Sequence, residues 1–258
     1  MAGEREPVAR SLDVLAWMAA HPAGPWSVRQ AARDIGTSPT TIHRIFRVFE
    51  ERGLIGQDGD RSYTPGLELY RICHALASEM SPVKIARPHL EELVRQCGET
   101  VLLGGYDWHR QQMMFLDIVY APHPLRYVLD LHRWIPVHAG ATGLGILASL
   151  PEAERQRVYA AGLDALTTAT YVDARRLEEV AAQIREQGYA LSKGQRMPGA
   201  VALAAPIFDC AGDVYGDVGI TIPEQRYEDR LEPLLAPQLI TVANLISAEL
   251  KHVGFRRG

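Results

Sequence analysis

The sequence predicts an α+β chain in two parts: a small helical unit closed by a hairpin, then a larger domain whose largely antiparallel sheet is flanked by helices. Three observations carry this. The first 65 residues hold three amphipathic helical patterns separated by Gly/Pro breaks and followed by two short strand patterns. Beyond them, apolar strand runs joined by short polar turns are interleaved with helical stretches. The length of 258 residues, 47% of them apolar and 22% charged, is enough to bury one large core or two smaller ones.

In "VARSLDVLAWMAA", residues 8–20, Val8, Leu12, Leu15 and Ala16 share one helical face, with Ala19 following. "HPAGP" breaks that helix. Ser27 is placed to cap a second helix that runs to Ile35 and ends at Gly36, and a third runs from Pro39 to about Arg52, stopped by Gly53. "LIGQDGDRSYTP", 54–65, reads as a hairpin around Asp-Gly. "GLELYRICHALASEM", 66–80, is a fourth, mostly apolar helix ended by Ser81-Pro82. A helix over 83–97 leads into "ETVLLGGY", which the polar tip "DWHRQQ" returns as "MMFLDIVY". "LRYVLDL", 125–131, has the look of another strand. Helices follow over about 140–149, 151–161 and 173–187, then strands in "YALSKG", "AVALAAPIF" and "VYGDVGITI", and a last helix over about 227–251.

Charge and cysteine usage narrow the classes. The net charge of −4 gives no global attraction to nucleic acid, so any such contact is local. Three scattered cysteines, Cys73, Cys97 and Cys210, argue against a disulfide framework and for a reducing compartment. The charged start "MAGEREPVAR" lacks an apolar segment of a signal peptide, and the longest apolar run, 200–208, is too short to span a bilayer. A cytoplasmic protein with no membrane partner is expected.

Residues 27–46, "SVRQAARDIGTSPTTIHRIF", carry the chemistry that matters most. Ala32 lets two helices approach, Gly36 permits a left-handed turn, and Ile42 anchors the second helix. Ile42, Ile45, Phe46 and Phe49 follow the i, i+3, i+4, i+7 rule and face the core. The opposite face presents Thr40, Thr41, His43, Arg44 and Arg47, with no acid before Glu50. Ser38 as N-cap and Pro39 after it fix where this helix begins, and it is the first turn of such a helix that reaches base edges in a major groove. Amphipathic pairs with a glycine turn also occur as plain packing units. The hairpin that follows tips the reading towards a winged helix-turn-helix, in which Arg61 reaches a phosphate. The arginines here, Arg29, Arg33, Arg44, Arg47, Arg52 and Arg61, sit near five acids, so non-specific affinity is weak and dimerisation is needed for useful binding.

Taken in order, "VARSLDVLAWMA", "SVRQAARDIGTSPTTIHRIFRVFEERGLI", "YTPGLELYRI", "IPVHAGATGLGILASL" and "REQGYALSKGQRMPGAVALAAPIFD" resemble the IclR family of bacterial transcriptional regulators, from about residue 7 to residue 251. The resemblance implies a winged helix-turn-helix over 1–65, a linker and dimerisation helix over 66–81, and a GAF-like effector-binding domain over 82–258. It implies double-stranded operator DNA and a small organic acid as partners, and a homodimer or a dimer of dimers, with no cofactor.

The resemblance also places an effector against the sheet, at the helix start after the family's "hPxHA". Here "IPVHAGATG" would offer the backbone N–H groups of Ala141 and Thr142, a setting that favours a carboxylate. Small residues at a helix start equally serve close packing, and only the resemblance favours the ligand. Ser192 stands where many members carry an acid or another polar residue, and Ala202 lies on the next strand. Gly219 and Thr221 stand where a Ser-x-Ser pair is common, and His132 where glycine is frequent. These departures predict a pocket less polar than one for a two-carbon oxoacid. They favour a larger carboxylate, an aromatic one included, with Tyr127, Trp134 and Tyr215 as candidate lining.

No G-x-S-x-G elbow, Walker A loop, H-E-x-x-H pair or EF-hand loop is present. His123, His132 and His138 lack a metal-ligand spacing, and no nucleophile with a base, nor a paired acid and base, can be assembled. An enzyme fused to a DNA reader is therefore the weaker alternative. A second domain that only oligomerises is the stronger one, and a domain without a cavity would favour it.

Overall fold

The computed structural model describes residues 7–22, 24–58, 62–79 and 82–256. These fall into two compact units that divide between Ser81 and Pro82.

The first unit holds α1 (Pro7–Ala20), α2 (Val28–Ile35), α3 (Pro39–Glu51), the hairpin β1 (Ile55–Asp58) and β2 (Ser62–Pro65), and α4 (Leu67–Glu79). Caps set the boundaries. Ser27 Oγ accepts from Gln30 N, and Gly36, at φ 72°, ends α2 in the left-handed region with its N–H turned back to Ala32 and Arg33. Ile42, Ile45, Phe46 and Phe49 are buried as their spacing predicts, with Phe46 edge-on to Tyr63 of β2 at 4.8 Å. Trp26 extends the hairpin: its N–H donates to Tyr63 O and its carbonyl accepts from Tyr63 N, at 2.7 and 2.8 Å. The apolar face expected for α1 is not the buried one. Val8 and Leu12 are 63% and 60% exposed, while Val14, Trp17 and Met18 enter the core. Trp17 decides the rotation, because its bulky ring needs burial and its Nε1–H reaches Asp34 Oδ2 at 3.0 Å. The Asp-Gly turn at 58–60 and Arg61 lie at or beyond the limit of the described residues.

The second unit is built on β3 (Thr100–Asp107), β4 (Gln112–Val119), β5 (Ile135–Pro136), β6 (Ala190–Lys193), β7 (Ala200–Phe208) and β8 (Val214–Pro223). Among the described residues they form one antiparallel sheet in the order β5-β4-β3-β8-β7-β6. Helices α5 (Pro82–Cys97) and α9 (Glu232–His252) cover one face, packing on Val101, Leu103, Leu203, Val218 and Ile220. Helices α6 (Gly140–Ser149) and α8 (Ala174–Gln187) cover the other, over Leu102, Met113 and Phe115. Between them lies α7 (Glu152–Ala160), where Arg155 binds Glu178 of α8 at 2.9 Å and the Leu150 carbonyl at 2.7 Å. By composition α9 and its lead-in could cross a bilayer, with a mean hydropathy of 1.2. Its apolar stripe, Leu235, Leu239, Val242, Ile246 and Leu250, is instead buried in the core.

Two expected elements differ. Residues 125–131 are not a strand: Leu131 makes one bridge to Phe115, and the strand that pairs with the outer edge of β4 is β5. Leu125 and Val128 are exposed and Leu129 is buried, so the apolar residues do not alternate across a sheet. The Leu125 carbonyl accepts from Arg226 Nη1 instead of a ladder N–H. His132 follows at φ 58°, the left-handed backbone that favours glycine. The last helix begins at Glu232 and not near 227, because Pro233 sets its first turn and a 3₁₀ turn, Asp229–Leu231, precedes it.

The first unit rests on few large side chains. Phe46→Ala is expected to destabilise it by about 3–5 kcal/mol, read from denaturant unfolding followed through Trp17 and Trp26 fluorescence. A midpoint unchanged from the parent chain would show that Phe46 is not central to that core.

Candidate functional site

The outer face of α3 is the first candidate. Ser38 Oγ accepts from Thr41 N at 3.2 Å and lies 2.9 Å from Thr41 Oγ1, so the Thr41 hydroxyl is engaged in the cap. Ser38, Thr40, His43, Arg44 and Arg47 are exposed, and Arg47 pairs weakly with Glu51 at 3.6 Å. Arg44 has no ion-pair partner among the described residues. Thr40 and His43 join Ser27, Arg29, Gln57 and Tyr63 around a concavity of about 770 Å³. Sequence reasoning missed Arg29 and Gln57 here. Arg29 is in the first turn of α2, and only the packing of α2 against α3 brings it beside the second helix start. Arg61, placed on the same surface by sequence position, is outside the described residues.

In the second unit, Ser192, Ala202 and Thr221 form one rung across β6, β7 and β8. The N-terminus of α6 points at that rung. Ala141 N–H donates to Ser192 Oγ at 2.9 Å, so the N–H expected to be unpaired already has an acceptor. Ala141, Thr142, Ser192, Ala202 and Thr221 line one small cavity together with Gln195 and Arg196. Gly219 is not in its lining. A Cβ there would come within 2.8 Å of Thr142 Cγ2, so glycine at 219 is what lets Thr142 settle on the sheet. The cavity measures about 20 Å³, the room of a single water.

Arg196 was not singled out by the sequence, and it changes the character of the site. Its guanidinium is buried, donating to Thr142 Oγ1 at 3.2 Å and lying 4.6 Å from the Phe115 ring centre. Burial lowers its pKa to about 10, partly offset by the charge of Asp217. Asp217 is fully buried, on the same face of β8 as Gly219 and Thr221. A Cβ on its cross-strand neighbour Gly104 would collide with Asp217 Oδ1, so that glycine makes room for the carboxyl group. Neither Asp217 oxygen has a hydrogen-bond donor at ordinary geometry. Burial raises the Asp217 pKa well above the carboxylate range, against the opposing pull of Arg196 and the Gly104 amide. With Arg196 in its lining, the pocket is more polar than its departures from the family pattern predict. A lone acid inside the apolar run "VYGDVGITI" was the available signal. Arg196 had none, because its role depends on tertiary placement.

The expected aromatic lining is also elsewhere. The Tyr127 hydroxyl donates to the Pro198 carbonyl at 3.3 Å. Trp134 and Tyr215 line a separate groove with Tyr106 and Trp108. Arg110 stacks on Trp134 at 5.1 Å, and Tyr215 packs edge-on against Phe255 at 5.2 Å. The strand shift between Ile207 and Phe208 turns Tyr215 from the phase that alternation gives it.

Residues 74–248 match the family described as bacterial transcriptional regulator IclR, C-terminal, and residues 7–59 match the IclR helix-turn-helix domain. The chain is 27% identical over 229 residues to the transcriptional repressor IclR of Escherichia coli, covering 88% of this chain and 83% of that one. Its fold is similar to an IclR transcriptional regulator from Alicyclobacillus acidocaldarius, with a TM-score of 0.85 at 23% identity, covering 95% and 98% of the two chains. It is also similar to an IclR homologue from Microbacterium hydrocarbonoxydans solved with 4-hydroxybenzoate, with a TM-score of 0.82 at 21% identity, covering 96% and 100%.

The Asp217 environment has a thermodynamic consequence. A carboxyl group whose pKa is higher folded than unfolded contributes stability below the unfolded value, near 4, and loses it as pH rises. Asp217→Asn cannot ionise, so its stability advantage over the parent chain should be near zero at about pH 4 and grow towards neutrality. Thermal denaturation across that range checks this, and a difference independent of pH would overturn it.

Proposed function

The chain belongs to the IclR family of DNA-binding transcriptional regulators, and from that premise we propose that its operator affinity is set by a small organic acid held at the start of α6. The observation that carries the acid is the cluster facing the cavity: the Ala141 N–H, the Ser192 and Thr142 hydroxyls and the inward Arg196 guanidinium. A helix N-terminus with a buried, carboxylate-free guanidinium is an anion site. Ala202 and Thr221 supply the floor, and Gly219, outside the lining, lets Thr142 settle beside them. The fold neighbour with 4-hydroxybenzoate supports an aromatic acid as one candidate. The members compared bear regulatory names and not enzymatic ones, in keeping with a chain that reads DNA and catalyses nothing. A regulator of this kind works beside the chromosome, in the cytoplasm.

On the DNA side, Ser38, Thr40, Thr41, His43, Arg44 and Arg47 form the reading surface in this proposal, with Arg29 and Gln57 beside them and Arg61 on the wing by sequence position. Residues 1–65 act as the reader, 66–81 as the linker and dimerisation helix, and 82–258 as the sensor. The partner on the linker helix is a second copy of the chain. Leu67 and Tyr70 of α4 are 87% and 69% exposed, and Val8 and Leu12 of α1 add to the apolar surface of the same unit. The small size of the cavity favours one competing reading, a second domain that only oligomerises.

Four measurements test the proposal. Arg44→Ala should weaken operator binding by ~1–3 kcal/mol per half-site in a gel-shift titration if Arg44 contacts a guanine, and unchanged affinity removes that contact. Light scattering should give a dimer or a dimer of dimers, and a monomer at micromolar concentration sinks the dimer. An acid at a hundred times its Kd should stabilise the fold by ~2.7 kcal/mol, with the shift lost in Ala141→Trp. Operator and acid must then change each other's affinity by the same factor in calorimetric titrations. Absence of any such coupling leaves the oligomerisation reading in place.

A further inference from the structure

We propose that the outer face of α9 is a second self-contact, on which the α9 of another copy lies antiparallel with the two-fold axis at Thr241. This inference is independent of the acid and of the contact assigned to α4.

The starting observation is a solvent face without charge. Residues 233–248 hold no Asp, Glu, Lys or Arg, so the outer side of α9 is as neutral as the inner one. Other helices of this unit look different on their exposed sides. Helix α5 presents Lys84, Arg87, Glu92 and Arg95, and α8 presents Arg175, Arg176, Glu179 and Glu186. A helix that is uncharged all round is normally covered all round. Yet of the most apolar 18 residues in the stretch Asp229–His252, 33% are buried within the chain.

The exposed positions have a pattern. Leu234, Thr241 and Ala248 recur at heptad spacing, and Gln238 and Leu245 follow the first two at the same step, as in the seam of paired helices. Leu234 and Leu245 are 61% and 47% exposed. The stripe is also symmetric about Thr241. Turned antiparallel on itself, α9 sets Leu234 against Ala248 of the second copy, Pro237 against Leu245, Gln238 against Asn244, and Thr241 against itself.

The surroundings suit this register. A groove of about 330 Å³ runs between α5 and α9, walled by Pro237, Gln238 and Thr241 with His89 and Gln96 opposite, and Leu245 of the second copy falls there. Gln238 Oε1 is buried without a donor in the single chain, and Asn244 of the second copy brings an amide to the same seam. Thr241 spends its hydroxyl on the Pro237 carbonyl of its own helix at 2.8 Å, so no polar group is stranded at the axis. Glu232 stands in the first turn and Lys251 and His252 in the last, so antiparallel pairing brings the acidic opening of each helix to the basic close of the other. A lipid surface fits less well, because no lysine or arginine flanks the stripe along 233–248.

The test uses the full-length chain. Thr241 is exposed, so Thr241→Arg leaves the core intact and sets two like charges against each other at the axis. Light scattering should show the mass of the assembly halved, with the circular dichroism of the parent. Thr241→Cys, in a chain whose exposed Cys73 is replaced by serine, should form a disulfide-linked pair under mild oxidation. Leu234→Cys combined with Ala248→Cys should link as well. Leu234→Cys alone should not, because the antiparallel register holds its two copies about 21 Å apart along the helix. A link at Thr241→Cys in a protein whose mass Thr241→Arg leaves unaltered places the α4 and α9 contacts between the same two copies. No link at Thr241→Cys above the Cys73→Ser background overturns the pairing, and so does a link at Leu234→Cys alone. If the unlinked chain instead floats with phosphatidylglycerol vesicles, the face belongs to a lipid surface and the pairing is wrong.

Discussion

Helix α6 lies so close to the sheet that its seat admits almost no side chain. A Cβ on Gly219 of β8 would meet Thr142 Cγ2 at 2.8 Å, and one on Gly143 would meet the carbonyl of Val137, in the segment leading into the helix, at 2.6 Å. All of α6 from Gly140 to Ala148 is buried. Much of the second unit follows from this approach. It brings the helix N-terminus within hydrogen-bonding reach of Ser192, leaves a cavity of about one water, and forces the long side chain of Arg196 to enter from the side. The site is tight because the helix is close, and the same exclusion of water disfavours the charged forms of the groups buried there.

That arrangement gives the site a defined electrostatic state. Arg196 and Asp217 are both desolvated, and each shifts away from its ordinary pKa in the direction that disfavours its charge. A ligand that compensates either charge changes the energy of one conformation relative to others, which is the minimum a switch requires. The long irregular segment before β5 has a part in this. Leu129 from that segment lines the cavity, and its neighbours Leu125 and Val128 remain exposed, so the cover over the site is held by few buried contacts.

Local signals in the sequence were reliable where geometry is local. The caps at Ser27 and Ser38, the turn at Gly36 and the Ile42 to Phe49 stripe are all dictated within one or two helical turns. The rung of Ser192, Ala202 and Thr221 was legible through the family pattern, since strand alternation carries those positions to one face. The failures have a common cause. The α1 face was set by the Trp17–Asp34 bond, the loss of the 125–131 strand by where its carbonyls find partners, and the Tyr215 direction by a strand shift. Each is decided by residues distant in the chain, which periodicity does not see. Arg196 and Asp217 belong to the same class, because opposite charges apart in sequence announce nothing until the fold brings each within the other's field.

The backbone pairing of Trp26 with Tyr63 bears on how small a fragment of this chain can stand alone. Trp26 is buried, and both its N–H and its carbonyl are satisfied by a residue on the far side of α2 and α3. A fragment ending after α3 would keep all three helices and the whole α3 surface, yet it would strand two backbone groups and the apolar seat that Tyr63 provides for Phe46. The helices are thus not an autonomous module with an ornamental hairpin attached. Closure of the chain from Trp26 to Tyr63 completes the unit, and its assembly waits on a contact that local helix formation cannot supply.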